Sequence, residues 1–149
     1  TTFEIYLPCA REAVPAVPAV VAPARGRQQH ILVVDDEQPI VDFVSTVLRR
    51  LNYRATVFNN PQAALAFIAE RPRDFHAIVT DMTMPHFTGL ELINQIRALG
   101  LMIPAIIITG YSEEISMQRD LLTNISLLGK PFSGEELAQA LAQILEPAA

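Results

Sequence analysis

Short apolar runs alternate with amphipathic stretches along most of the chain, from Gln28 to about Glu146. The apolar runs have the length of β-strands, and the stretches between them carry apolar residues at helical spacing. Runs such as ILVV and AIII are apolar throughout, which is typical of strands covered on both faces of a sheet. The predicted strands are His30–Val34, Arg54–Phe58, Ala77–Thr80, Ala105–Thr109 and Ser126–Leu128.

Helices are predicted after each of these strands. Asn60 is an N-cap residue followed by proline at the first helical position, and Ser133 with Glu136 has the spacing of a capping box. The predicted helices are Pro39–Leu51, Pro61–Glu70, Gly89–Leu99, Glu113–Leu122 and Gly134–Leu145. Five strand-then-helix units predict a doubly wound α/β fold, with five helices around a five-stranded parallel sheet.

The amino-terminal part of the chain has a different composition. Residues 1–8 (TTFEIYLP) alternate and are rich in β-formers, so they predict a single strand, which cannot bury a face by itself. Residues 9–27 are rich in Pro, Ala and Val and predict a semi-rigid linker. The predicted domain is residues 28–146, and residues 147–149 form a tail.

The composition excludes some classes of function. Half of the residues are apolar and the formal net charge is −5, so the chain can build a core and carries no basic stripe for nucleic acid. Cys9 is the single cysteine, and no apolar run reaches the length of a membrane span. We therefore expect a cytoplasmic segment without direct contacts to nucleic acid or membrane, whose parent protein can still be membrane-anchored.

Polar residues follow four of the five predicted strands, at the point where each strand ends. Asp35 and Asp36 follow the first strand, Asp81 the third, and Lys130 comes just after the last. Thr109 closes the fourth strand. Because ligands bind beyond the carboxyl ends of parallel strands, we expect these side chains to share one crevice.

A crevice with these side chains suits phosphoryl transfer. Carboxylates about 5 Å apart repel by roughly 3 kcal/mol at an effective dielectric constant near 20, so they favour a bound cation. Hard oxygen ligands suit Mg²⁺, and one of the carboxylates can act as the nucleophile toward phosphorus. Lys130 can neutralise charge on the transferring group, and the Thr109 hydroxyl can bind one of its oxygens.

Four segments in the same order resemble the receiver domains of bacterial response regulators. The segments are Ile31–Glu37 (ILVVDDE), Ile78–Glu91 (IVTDMTMPHFTGLE), Ile106–Gly110 (IIITG) and Gly129–Phe132 (GKPF). Each motif is weak alone, whereas the ordered set is specific. The resemblance implies a flavodoxin-like receiver fold with strand order 2-1-3-4-5.

The resemblance also implies a magnesium site. Asp35 and Asp36 correspond to the acidic pair that holds Mg²⁺, with Asp36 the direct ligand. Asp81 corresponds to the phospho-acceptor and a further metal ligand, and the carbonyl group of Thr83 to another. Gly89, with Met84 and Pro85, matches the loop that shapes the pocket after the acceptor.

The remaining site residues are assigned by the same resemblance. Thr109 corresponds to the switch hydroxyl, and Lys130, before a cis peptide bond to Pro131, to the phosphoryl contact. Two positions depart from the family pattern. Leu127 stands where an aromatic switch residue is usual, and Tyr111 stands at a position that is often small or polar. Tyr111 is expected either to obstruct the hydrolytic water or to be a packing residue.

The amino-terminal strand has a resemblance of its own. TTFEIYLP is similar to the closing strand of the ATP-binding domain of histidine kinases. This similarity predicts the carboxyl-terminal receiver of a hybrid sensor histidine kinase in a phosphorelay. Its partner is then a phosphohistidine on a histidine kinase or a histidine phosphotransfer domain, in cis or in trans. Such a receiver is not a conventional enzyme, although it catalyses its own phosphorylation and dephosphorylation.

Two alternatives compete with this interpretation. A degenerate receiver acts as a docking module without phosphate, and the substitution at Leu127 keeps that reading open. A magnesium-dependent phosphatase of the haloacid dehalogenase type also uses a strand-end aspartate. That class needs Asp-x-Asp after the first strand, whereas here Asp35 and Asp36 are adjacent and Asp81 follows the third strand.

Overall fold

The computed structural model describes residues 26–110 and 124–145. All five predicted sheet strands and four of the predicted helices are present among the described residues, together with two short strands that were not predicted. In order they are β1 His30–Val34, α1 Gln38–Arg50, β2 Arg54–Phe58, α2 Pro61–Glu70, β3 Ala77–Asp81, β4 Thr83–Met84, β5 Phe87–Thr88, α3 Gly89–Ala98, β6 Ala105–Thr109, β7 Ile125–Gly129 and α4 Gly134–Leu145.

The five long strands form one parallel sheet in the order β2-β1-β3-β6-β7. Counted along the chain, these strands lie in the order 2-1-3-4-5, which confirms the predicted topology. The strand predicted at residues 1–8 and the helix predicted at Glu113–Leu122 lie outside the described residues. Each predicted strand or helix within the described residues begins and ends within one residue of its predicted bounds.

The sheet is buried on both faces because its strands are apolar at consecutive positions. In β1, Ile31 and Val33 face one core cluster, to which α1 and α4 contribute Leu48 and Leu137. Their neighbours on the strand belong to a second cluster, built with residues of α2 and α3. Side chains of a strand alternate between faces, so an uninterrupted apolar run supplies both clusters.

The helix starts confirm the capping signals in the sequence. The side chain of Asn60 accepts a hydrogen bond of 3.0 Å from the N–H of Ala63 at the start of α2. The side chains of Ser133 and Glu136 each bond the other residue's backbone N–H before α4, at 3.2 and 2.7 Å. Such caps satisfy amide groups that a helix leaves unpaired at its first turn. They also define where the loops before α2 and α4 end.

None of the helices within residues 26–110 and 124–145 is long and apolar enough to cross a membrane.

The first described residue already packs against the sheet domain. The N–H of Gly26 donates to the carbonyl of Leu51 at 2.7 Å, and the amide of Asn52 donates to the carbonyl of Gly26 at 2.8 Å. A side chain at position 26 would collide with the ring of Tyr53. Contacts of the domain therefore include Gly26, which lies in the predicted linker and before the predicted boundary at Gln28.

These contacts predict different stabilities for two truncated chains. A chain that begins at Gln28 loses both hydrogen bonds of Gly26, whereas a chain that begins at Gly26 keeps them. Each such bond contributes about 1 kcal/mol, so the shorter chain should melt roughly 2–8 °C lower for each ~1 kcal/mol lost. Both chains should still fold. Thermal unfolding followed by circular dichroism provides the measurement, and equal midpoints would show that Gly26 contributes nothing to the fold.

Candidate functional site

The register of the parallel strands brings the predicted site residues to one edge of the sheet. Val34 pairs with Thr80, so Asp35 and Asp81 follow at neighbouring positions. Asp81 pairs with Ile108, one residue before Thr109. Thr109 in turn pairs with Gly129, one residue before Lys130. The edge between β1 and β3 is also where the winding of the chain reverses, which is the usual ligand site of such folds.

Both carboxylate oxygens of Asp81 have a hydrogen-bonding partner. One oxygen, Oδ1, lies 2.7 Å from the Nζ atom of Lys130, and Oδ2 accepts the backbone N–H of Thr83 at 2.7 Å. The residue is 5 % exposed, so the carboxylate is nearly buried. Asp81 is thus an oriented carboxylate with a cation beside it.

Lys130 lies between two carboxylates. Its Nζ atom is 2.7 Å from Asp81 Oδ1 and 3.1 Å from Glu37 Oε1. Burial of the ammonium group lowers its pKa, but the hydrogen bonds to Asp81 and Glu37 outweigh this effect, and the net pKa of Lys130 is raised. Lys130 therefore stays protonated near neutral pH. The peptide bond from Lys130 to Pro131 is cis, as predicted.

Asp35 is the most deeply buried charged side chain of the site, with 1 % exposure. Its Oδ1 atom accepts the N–H of Glu37 at 2.8 Å. Burial raises the pKa of Asp35 to about 6, the hydrogen bond from Glu37 opposes this shift, and the charge of Asp81 adds to it. The carboxyl group is therefore costly to ionise at this position.

The donor set at this edge fits a hard cation. Oδ2 of Asp35 is buried and accepts no hydrogen bond from the residues that the structure describes. Asp36 and Thr83 are exposed beside it, at the mouth of the crevice. Within residues 26–110 and 124–145 no three acidic, histidine or cysteine side chains form a metal cage. Mg²⁺ does not need one, because it keeps several of its waters and binds one or two carboxylates.

The structure describes two of the three residues that the sequence linked to switching and to the water path. Thr109 is 5 % exposed at the end of β6, and its carbonyl group accepts the N–H of Lys130 at 2.7 Å. Leu127 is half-buried on β7 and packs against the core cluster on the side of α2 and α3. Tyr111 lies outside the described residues, so its predicted role at the water path stays a prediction.

The loop after Asp81 contains a short hairpin that the sequence did not predict. Thr83–Met84 pairs with Phe87–Thr88 in antiparallel register, and α3 begins immediately afterwards. Gly89, the first residue of α3, donates its N–H to the carbonyl of Met82 at 3.0 Å. A Cβ atom at Gly89 would collide with the carbonyl oxygen of Asp81. The helix therefore packs directly against the backbone of Asp81, which agrees with the predicted role of Gly89 in shaping this loop.

Glu37 is the residue that the sequence did not assign to the site. It is the N-cap residue of α1, and its carboxylate reaches Lys130, which is 93 positions further along the chain. From the sequence alone, an acidic residue directly after Asp35 and Asp36 is expected to be a solvent-exposed residue at the start of a helix. No local pattern indicates its contact with Lys130.

A family profile and solved structures identify the class of protein. The profile of the response regulator receiver domain matches residues 31–142. The chain belongs to the response regulator receiver domain family and is a receiver domain of two-component signalling.

Three similar proteins illustrate the match. The response regulator SaeR of Staphylococcus aureus is 29 % identical over 121 residues, which are 78 % of this chain and 50 % of SaeR. The receiver domain of the hybrid histidine kinase CckA is 25 % identical, with a TM-score of 0.67 over 78 % of this chain and 99 % of that one. The response regulator TrrA of Thermotoga maritima, solved in complex with Mg²⁺ and BeF, is 26 % identical, with the same TM-score and coverage. The chain spans about half the length of the curated relatives it matches.

The raised pKa of Asp35 predicts a pH-dependent cost to stability in metal-free buffer. The unfolded chain ionises this group near pH 4, whereas the folded chain ionises it at about 6. Between these values the unfolded state binds fewer protons, so the free energy of unfolding falls as the pH rises and stays lowered above pH 6. The full difference is about two pKa units, or ~3 kcal/mol.

The variant Asp35→Asn removes this ionisation. At pH 7 in EDTA it should melt several degrees above the wild type, and the gap should close toward pH 4. Asp36→Asn, an exposed neighbour with the same change in charge, serves as control and should change the melting temperature less. A gap between Asp35→Asn and the wild type that is independent of pH would contradict the assignment.

Proposed function

We propose that this receiver accepts a phosphoryl group from a phosphohistidine onto Asp81. The observation that carries the proposal is the carboxylate of Asp81 itself. It lies nearly buried at the end of the central strand, with one oxygen on the N–H of Thr83 and the other on the ammonium group of Lys130. A carboxylate held in this way is oriented for attack from the open side of the crevice.

The transfer needs little further chemistry from the protein. An oxygen of Asp81 forms the new bond to phosphorus while the bond from phosphorus to the histidine nitrogen breaks. The electron pair of that bond stays on the imidazole, which takes up a proton. Lys130 moves from the carboxylate toward an oxygen of the phosphoryl group, and the hydroxyl of Thr109 binds another. Both residues act by placing positive charge or a hydrogen-bond donor where negative charge accumulates.

Mg²⁺ is the cofactor that we propose for this site. Asp36 and Asp81 would supply carboxylate ligands and Thr83 its carbonyl group, while Asp35 completes the acidic set. When bound, the cation neutralises charge on the oxygens of the transferring group. The buried Oδ2 of Asp35, which accepts no hydrogen bond from the described residues, and the oxygen-rich donor set support this assignment. The similarity to TrrA, whose structure contains Mg²⁺ and BeF, supports it further.

The partner that we propose is a histidine kinase or a histidine phosphotransfer domain. The pattern TTFEIYLP at residues 1–8 favours a receiver attached to a histidine kinase in one hybrid protein. The similarity to the receiver of the hybrid kinase CckA is compatible with such a hybrid protein. The similarity to the response regulator SaeR is equally compatible with a regulator that is separate from its kinase. The coding sequence upstream of Thr1 distinguishes the two, because a hybrid protein requires a kinase core there.

Phosphorylation of Asp81 is tested with small phosphodonors. Acetyl phosphate with Mg²⁺ should add one phosphoryl group to the wild type, and Asp81→Asn should take up none. Asp74→Asn, an exposed aspartate in the loop before β3, is the matched control and should be labelled like the wild type. Intact-mass spectrometry measures the label. Equal labelling of the Asp81 variant would refute the assignment of the acceptor, and no labelling of the wild type would favour a docking module.

The metal assignment predicts a difference between two neighbouring acids. Asp36→Asn should weaken the binding of Mg²⁺ by at least tenfold, because a direct carboxylate ligand is lost. Glu37→Gln should weaken it about twofold or less, because this side chain contacts Lys130 and contributes only through its charge. Titration followed by NMR provides both dissociation constants. Equal losses in the two variants would show that the cation sits elsewhere.

A further inference from the structure

Lys130 contacts a second carboxylate that the proposed reaction does not use. Its Nζ atom is 2.7 Å from Asp81 Oδ1, on the acceptor, and 3.1 Å from Glu37 Oε1, on the first loop. The side chain of Asp81 is 8 % exposed and that of Glu37 is 60 % exposed. The lysine thus bridges a buried carboxylate and a solvent-facing one.

The bridge matters because an oxygen of Asp81 must be released before it can react. Oδ2 is held by the backbone N–H of Thr83, which the turn after β3 keeps in place. Oδ1 is held by Lys130, whose long side chain can move. Release of Oδ1 is therefore the easier step, and it requires the ammonium group to leave the acceptor without being lost to solvent.

Glu37 is fixed in a position to receive this ammonium group. Its backbone N–H donates to Asp35 Oδ1 at 2.8 Å, and its carbonyl group accepts the N–H groups of Ile40 and Val41 at 3.0 and 3.2 Å. The side-chain torsions are what remains free. A carboxylate on so constrained a backbone can hold Lys130 in the crevice while the lysine changes partner.

We propose that Glu37 is a positioning residue for phosphoryl transfer, which draws Lys130 off the acceptor oxygen and keeps it within reach of the incoming phosphoryl group. The proposal rests on the function assigned to Asp81. Without the charge of Glu37, Lys130 remains on Asp81 Oδ1 and the acceptor oxygen is released less often. Phosphorylation then becomes slower, while the fold and the acceptor remain intact.

The size of the effect follows from the exposure of Glu37. A solvent-facing ion pair changes a rate by about two- to fivefold, far less than the loss of the acceptor itself. Glu37→Gln should therefore take up the phosphoryl group from acetyl phosphate about two- to fivefold more slowly than the wild type at saturating Mg²⁺. Saturation removes any contribution from a weaker cation site.

The matched control is Glu70→Gln, an exposed glutamate at the end of α2 with the same change in charge. It should be phosphorylated at the wild-type rate. The ammonium signal of Lys130 in ¹⁵N NMR is the second readout, and it should shift in Glu37→Gln and stay unchanged in Glu70→Gln. A purely structural role of Glu37 would lower the melting temperature of Glu37→Gln and leave its rate of phosphorylation unchanged at temperatures where the variant is folded.

The outcomes separate this inference from the function on which it rests. A wild type that takes up no phosphoryl group overturns the proposed function. A labelled wild type with equal rates for Glu37→Gln and Glu70→Gln overturns the role of Glu37 alone. A slower Glu37→Gln whose Lys130 signal is unchanged also overturns it, because the effect then does not pass through the lysine.

Discussion

Two carboxylates, Asp35 and Asp81, lie almost buried beside each other at the carboxyl edge of the sheet, and the ammonium group of Lys130 bonds one of them. The charge of Asp35 is costly in this environment, and burial accordingly raises the pKa of this carboxyl group. The ammonium group of Lys130, which follows another strand, offsets the repulsion between the two carboxylates. Ion pairing between β3 and the end of β7 is thus the interaction on which the chemistry of the whole edge depends.

The architecture provides this pairing without a dedicated binding loop. Parallel strands in register end at the same level, so residues far apart in the chain meet after β1, β3, β6 and β7. Helices on both faces bury the strands and leave the edge as the accessible part. The close packing of Gly89 against the backbone of Asp81 then fixes the position of this aspartate relative to the first turn of α3.

Exposure divides the site into an inner and an outer set. Asp35, Asp81 and Thr109 are each at most 5 % exposed, whereas Asp36, Thr83 and Glu37 face solvent. The inner groups are held by the sheet and its hydrogen bonds, so their positions are insensitive to a partner. The outer groups are accessible to water and to molecules in solution. The site therefore combines rigid, nearly buried side chains with a solvent-facing rim.

Much of this protein could be predicted from its residues. Apolar runs followed by amphipathic stretches identified the five sheet strands and the described helices to within a residue, because hydrophobic period and helix caps are local properties. The sequence also predicts that Asp35, Asp81, Thr109 and Lys130 meet, because each lies at or just after the end of a parallel strand.

Glu37 could not be assigned in this way, since its contact with Lys130 joins positions 93 residues apart. The hairpin of β4 and β5, the contacts of Gly26 and the burial of Asp35 Oδ2 also depend on the packed fold. Sequence patterns report the local preferences of the chain, whereas the distance between a carboxylate and a lysine on different strands is set by how the strands pair in the folded sheet.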